Sequence, residues 1–379
     1  MAGARLDSES RPWNDHVDRV VIHTPMYLTY DGQVSTGGRE RHIRDLARLV
    51  QSEWGRRVVI VQMANRSFET TCPDGFEVVG HRAYTKNALG EPPFAWWLQH
   101  RFARRRDGVL YAASDHAFPF FRPGSKGVQH GIWWDGPLSP AKRWMQSRRI
   151  LTFVQQMRSV LCVDTNLVNW LRGHGAVGLR LTERCQYVPN YADLQRLPVT
   201  ERGPGRPLRL LYARRFHASR GPWLFLDALA LLRRRGVDFA ASLYTVGGEK
   251  ELRDAAFARG LEDRVTVAHA SLDEILDRYA EADVSVVPTL WSEGTSFSAV
   301  ESVCAGVPVV ATPVGGLGNL IIPDFNGQIV APTPAALADG IAHLADEATW
   351  RRLRAGCLAM REALSMERWN REVLAWLQA

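Results

Sequence analysis

Residues 291–316 read WSEGTSFSAVESVCAGVPVVATPVGG, and the reading of this stretch decides the fold. A polar loop, WSEGTS, opens an apolar helix over 297–305, and a Val-rich strand follows at 308–311. Glu293 lies in the loop and Glu301 inside the helix, with seven residues between them. The loop brings the first carboxylate to the mouth of the helix, and the helix carries the second roughly two turns deeper. Between them, the amide groups of Gly294, Thr295 and Ser296 open the helix and suit an anion or a hydroxyl-rich ligand. A nucleotide sugar combines both chemistries. Two solvated surface glutamates fit the same letters, so the spacing alone leaves both readings open.

Outward from this segment the chain alternates between strand and helix. Strands are expected at 17–23, 57–62, 108–112, 125–129 and 160–163. A helix is expected over 38–54, where Ile43, Leu46, Ala47 and Val50 recur at helical spacing. Residues 197–207, rich in Pro, Gly and Arg, read as a linker. The alternation then restarts, with strands at 208–213, 240–246, 265–268, 284–288 and 308–311 and helices at 223–235, 249–259 and 272–280. Apolar strands of this kind predict an α/β chain with parallel sheets covered on both faces. The expected architecture is two Rossmann-like domains, 1–195 and 205–364, facing a central cleft. Ligands in such sheets sit beyond the carboxyl ends of the strands, so the strand-to-helix loops should carry the chemistry.

Composition removes several classes. Of 379 residues, 46% are hydrophobic and 23% charged, an ordinary globular balance. No apolar run approaches the roughly 18 residues of a membrane-spanning helix, and residues 1–13 lack the apolar core of a secretion signal. The five cysteines are scattered and form no CxxC pair, which argues against a zinc site or a disulfide framework and for reduced thiols in the cytoplasm. The net charge is +7, and Lys supplies only four of the 47 basic residues. Arg suits forked contacts to phosphate, but codon bias explains the excess equally well, and +7 alone does not argue for nucleic acid. The hexad GHGAVG at 173–178 fits the dinucleotide pattern GxGxxG letter for letter. It follows a predicted helix rather than a strand, so it reads as a helix stop and loop.

The segment 291–316 resembles the E-x7-E signature of retaining glycosyltransferases of the GT-B fold, family 4 (group 1). AGVPVVATPVGG and the Asn326-Gly327 turn are similar to that family's downstream runs. GGRERH at 37–42, VPNYAD at 188–193 and VGG at 246–248 resemble its N-terminal loop, linker motif and glycine turn. RRFHASRG at 214–221 resembles its GRLxxxKG motif, with Arg215 in the Arg position and Arg220 in place of Lys. The closing stretch MERWNREVLAWL at 366–377 resembles the family's crossing helix, so 365–379 should return to the first domain.

The resemblance implies a role for each site. Glu293 would contact the donor sugar and Glu301 the ribose, while Arg215 and Arg220 would hold the diphosphate. His130, in VQHG, would touch the sugar near the reacting carbon, with His116 the weaker candidate. Gly37, Gly38, Gly247, Gly294, Thr295, Ser296 and Phe297 would complete donor binding. It also implies front-face substitution without a protein nucleophile, in which the departing phosphate helps deprotonate the acceptor. The arginines and helix-end amides would then stabilise the leaving group. No cofactor is expected, and no metal, since no Asp-x-Asp occurs. The acceptor would be a glycan or lipid-linked sugar in bacterial surface polysaccharide or lipopolysaccharide assembly. Aromatic-basic stretches at 94–106 and 142–149 could rest peripherally on the anionic inner face of the cytoplasmic membrane, or be amphipathic helices packing Trp inward. A nucleotide-sugar epimerase, a sugar phosphorylase and a non-catalytic nucleotide-sugar-binding protein are the competing functions.

Overall fold

The computed structural model describes residues 13, 17–29, 31–35, 37–83, 90–102, 106–113, 116–132, 134–199, 203, 207–271 and 274–379. Parts of the expected linker and of the basic stretch at 94–106 lie outside the described residues. The chain forms two compact units. The first comprises Met1–His130, Leu138–Val188 and Asn370–Ala379, and the second Gly131–Pro137 and Pro189–Trp369.

In the first unit the strands are β1 (Arg19–Thr24), β2 (Arg57–Ala64), β3 (Phe68–Thr71), β4 (Glu77–Arg82), β5 (Asp107–Tyr111), β6 (Ser125–Gln129), β7 (Met157–Cys162) and β8 (Cys185–Tyr187). They form one sheet in the order β3-β4-β2-β1-β5-β6-β7-β8. Only the β3–β4 pairing is antiparallel. The second unit carries β9 (Leu208–Ala213), β10 (Phe239–Thr245), β11 (Val265–His269), β12 (Val284–Val287), β13 (Val309–Ala311) and β14 (Gly327–Ile329). Its sheet is wholly parallel, in the order β11-β10-β9-β12-β13-β14. Val and Ile dominate the central strands because both faces are covered. Val20, Val21 and Ile22 on β1, and Val284 and Val286 on β12, are shut off from solvent. Among the described residues no helix is long and apolar enough to cross a membrane.

Two sequence expectations need correction. The hexad at 173–178 is not a loop. The helix Asn166–Arg172 stops at Gly173 and a second helix, Gly175–Thr182, begins almost at once. A Cβ on Gly178 would lie 2.0 Å from the Leu171 carbonyl oxygen, so this glycine lets the two helices meet closely. The strands β3, β4, β8 and β14 were not expected. β3 reads FETT and is mostly exposed, β8 has three half-exposed or exposed residues, and neither offers an apolar run to detect.

One buried charge ties the end of the chain to the first sheet. Lys126 on β6 is fully buried, and its Nζ donates to Ser159 Oγ at 3.1 Å and to the Trp376 carbonyl at 2.6 Å. Trp376 lies near the end of the helix Met366–Gln378, where the unpaired carbonyls favour a cation. The Nζ also sits 5.0 Å from the Trp376 ring centroid. Burial, and then the Arg158 charge, pull the Lys126 pKa down from 10.5 to about 7. Above that value the unfolded chain binds a proton that the folded chain lacks, so stability should rise with pH by up to about 1.4 kcal/mol per unit. Denaturant titrations between about pH 7 and pH 9.5 should show this rise in the parent and a flatter profile in Lys126→Met. Parallel profiles would place the Lys126 pKa outside that window.

Candidate functional site

In the second sheet the chain runs from β9 outward through β10 to β11, then crosses back to β12 and runs outward on the other side. The loops leaving β9 and β12 therefore diverge at a topological switch point, where a parallel sheet leaves a crevice. The loop after β9 carries Arg214, Arg215 and Arg220. The loop after β12 carries Glu293, Gly294, Thr295 and Ser296, and Glu301 follows in the helix Phe297–Cys304.

Glu293 is buried, and three hydrogen-bond donors converge on its Oε2. They are Arg214 Nη2, Arg220 Nη1 at 2.9 Å and Thr289 Oγ1 at 2.9 Å. Burial alone would raise the Glu293 pKa, but the charges of Arg214 and Arg220 outweigh it and hold the carboxyl below 4.5. Arg214 has a second arm, with Nη1 donating to Ser296 Oγ at 2.7 Å and to Ser298 Oγ at 3.1 Å. Sequence reasoning chose its neighbour Arg215, which is exposed and acts on this cluster through its charge beside Arg220. The signal for Arg214 was its place as the first residue after β9.

The backbone around Glu293 is clamped by glycine. A Cβ on Gly315, whose φ is +59°, would lie 2.0 Å from the Glu293 carbonyl oxygen, and one on Gly131 would lie 2.6 Å from Gly294 Cα. Ser292 holds a left-handed φ of 61°, and its amide donates to both carboxylate oxygens of Asp135 at 3.0 and 3.1 Å. Ser296 stands at the N-cap of the helix Phe297–Cys304, yet its hydroxyl makes no cap hydrogen bond. Ser296 therefore does not cap the helix it begins. Glu301 is buried one turn in, and its Oε2 accepts from Tyr279 Oη at 2.9 Å. Asn190 donates to the Thr295 carbonyl, and Asn326 is fully buried and holds Ile322 N and Leu320 O, which is a structural role. Gly247, on the loop after β10, has a φ of +80° and open space where a Cβ would stand.

The first unit holds the other expected residues. The His130 ring is buried, and burial, then His42 and Arg39, hold its pKa well below 6.5. A hydrogen bond to the Ala112 backbone opposes that lowering, and the ring's Nε2 is buried. His42 packs edge-on to it at 4.8 Å. Gly37 caps the helix Gly38–Trp54 without a side-chain bond. Glu40, buried in the first turn and paired with Arg39 at 2.7 Å, already complements the charge of that helix end. His116 Nδ1 lies 3.3 Å from Glu91 Oε1, whose other oxygen pairs with Arg149. Among the described residues, no group of three or more His, Cys, Asp or Glu side chains is gathered as a metal site.

Residues 207–347, which carry the arginines and both glutamates, match the family described as "Glycosyl transferases group 1". The similarity to the group 1 glycosyltransferases rests on this segment. A D-inositol 3-phosphate glycosyltransferase of Arthrobacter sp. (strain FB24) is 35% identical over 156 residues, 39% of this chain and 37% of that protein. The aligned stretch is thus little more than a third of that relative's length. Over nearly the full length the likeness is one of fold. Sucrose-phosphate synthase from Thermosynechococcus elongatus matches with a TM-score of 0.74 at 19% identity, covering 94% of this chain and 98% of that one. Anabaena HepE in complex with UDP-glucose matches with a TM-score of 0.71 at 16% identity, covering 95% and 99%. The architecture is GT-B, with two Rossmann-like parallel-sheet domains.

The clamp on the Glu293 loop can be tested by comparing two glycines of similar conformation. Gly247→Ala should cost only the strain of a left-handed alanine, about 1–2 kcal/mol. Gly315→Ala should cost clearly more, because the Glu293 carbonyl must also move. Thermal unfolding of both variants decides, and equal losses would mean that the Glu293 loop yields freely.

Proposed function

We propose that this chain is a retaining glycosyltransferase that moves a sugar from a nucleoside-diphosphate donor to an acceptor hydroxyl. The observation that carries this reading is the Glu293 carboxylate, held ionised by Arg214 and Arg220 beside the uncapped mouth of the helix that bears Glu301. Glu293 reads hydroxyls of the donor sugar, and Glu301 holds the ribose. Arg220, whose contacts to Glu293 and the Ser292 carbonyl use one guanidinium nitrogen, and the exposed Arg215 receive the diphosphate. Charge grows on that leaving group in the transition state, so these guanidinia act more strongly there than on bound substrate. The leaving phosphate oxygen takes the acceptor proton as the new glycosidic bond forms on the same face. HepE, crystallised with UDP-glucose, makes that compound the first donor to test.

Calorimetry with UDP and UDP-glucose, beside steady-state transfer rates, tests these roles. Glu301→Ala should weaken both ligands about ten- to a hundredfold, the worth of a charged hydrogen bond. Glu293→Ala should leave UDP affinity nearly unchanged while cutting transfer. Arg215→Ala and Arg220→Ala should lower turnover at saturating donor more than they weaken binding. The opposite pattern for the two glutamates would reverse their roles, and free sugar released without acceptor would indicate epimerase chemistry instead.

The acceptor in this reading is a glycan or lipid-linked sugar of bacterial surface polysaccharide or lipopolysaccharide, met at an anionic membrane face. Trp96, on the helix Glu91–Phe102, and Trp144, on Pro140–Gln156, are 54% and 62% exposed. The Arg148 guanidinium lies 5.3 Å from the Trp144 ring centroid. The same first helix also buries Phe94, Leu98 and Phe102, so only part of its aromatic content faces water. Co-sedimentation with phosphatidylglycerol vesicles should fall several-fold in Trp96→Ser/Trp144→Ser and should be weak on neutral vesicles. Unchanged sedimentation of the double variant would remove these tryptophans from the contact.

A further inference from the structure

We propose that Arg214 is the positioning residue of this site, a single guanidinium that decides which oxygen of Glu293 faces the ligand and fastens that carboxylate to the mouth of the following helix. The inference rests on the reading of Glu293 as the group that meets the donor sugar, and it assigns a role to a side chain that reading does not use.

Geometry carries the assignment. Arg214 leaves β9 directly, its amide bonded to the Tyr244 carbonyl at 3.0 Å, so its backbone is fixed by the sheet rather than by a loop. Its side chain is only 5% exposed and spans the loop that follows β12. Nη2 reaches Thr289 Oγ1 at 3.2 Å and Glu293 Oε2, while Nη1 reaches Ser296 and Ser298. A planar fork can hold both ends of this loop at once, and an ammonium cannot. Because Arg214, Arg220 and Thr289 all converge on Oε2, that oxygen is saturated and Oε1 is left for a ligand hydroxyl. The Nη1 arm also occupies the Ser296 hydroxyl, the group that would otherwise cap the helix. One cation thus prepares an acceptor at Glu293 and holds the Ser296 hydroxyl away from capping the helix.

Arg214→Met and Arg214→Lys test this, each alone and combined with Glu293→Gln. Arg214→Met should lower turnover at saturating UDP-glucose by ten- to a hundredfold while UDP affinity changes less than threefold. Its acid limb of the rate profile should move up by at least one pH unit, since Glu293 loses its strongest charge partner. Arg214→Lys should restore the acid limb without restoring full turnover. In the Glu293→Gln background, Arg214→Met should cause no further shift of the limb. Thermal melts of the same four-way cycle should show coupling between Arg214 and Glu293 above about pH 5. That measurement does not need transfer. Coupling without transfer by the parent on any nucleotide sugar would reject the proposed function and leave the pairing standing. Parent-like turnover and pH profile in Arg214→Met, or a loss seen only in melting temperature, would overturn the positioning role.

Discussion

A carboxylate buried away from water is costly unless cations and hydrogen bonds replace its hydration, and Glu293 sets that condition for the whole second unit. Removing one partner from a buried pair of this kind costs roughly 3–5 kcal/mol, comparable to the net stability of many domains. The fold therefore has to deliver Arg214, Arg220 and Thr289 to one oxygen, and the parallel sheet does so through its topology. β9 and β12 are neighbours in space although 70 residues of chain separate the end of one from the start of the other. Loops that diverge from adjacent strands can face each other without crossing, which is how residues after β9 neutralise a residue after β12.

The loop bearing Glu293 has no regular hydrogen-bond ladder of its own, so close contacts fix it. Gly315 and Gly131 approach its backbone at distances that no side chain would permit, and Asp135 holds Ser292 in a left-handed conformation. Such strain persists only where surrounding contacts over-determine it, and here they do. The consequence is a carboxylate whose direction is set by the protein's own contacts. Preorganisation of this sort spends folding energy so that binding and reaction need not reorganise the site.

Much of this was legible in the sequence, and the reasons differ by residue. Glu293 and Glu301 were singled out by the resemblance to the E-x7-E signature, because their spacing alone fits two surface glutamates as well. The central strands were legible because burial on both faces writes itself as runs of Val and Ile. β3 was not, since an exposed antiparallel strand reading FETT carries no such pattern. Arg214 was not singled out because two adjacent arginines after a strand look alike in letters. In the fold their side chains diverge, one buried against four oxygen atoms and the other in water. Tyr279 and Thr289 were missed for a simpler reason: a buried tyrosine or threonine in an apolar neighbourhood reads as core until its hydroxyl's partner is seen.

The use of Arg and Lys follows the same physics. Arg outnumbers Lys by 43 to four in this chain, and codon bias alone would account for the ratio. It does not account for where the types stand. At 214 and 220 the charge must persist in a desolvated site and reach several oxygens from one position, which a planar guanidinium does and an ammonium does not. At 126 the opposite is needed. The cation lies against the Trp376 ring and donates to the Trp376 carbonyl and the Ser159 hydroxyl, neither of them a carboxylate. A compact group that can shed its proton is tolerated there, whereas a permanent guanidinium would be a lasting uncompensated charge. The carboxylate of Glu293 is met by Arg, and the cation buried against the Trp376 ring and carbonyl is Lys. At these positions the choice between the two cations matches what each surrounding demands of a buried charge.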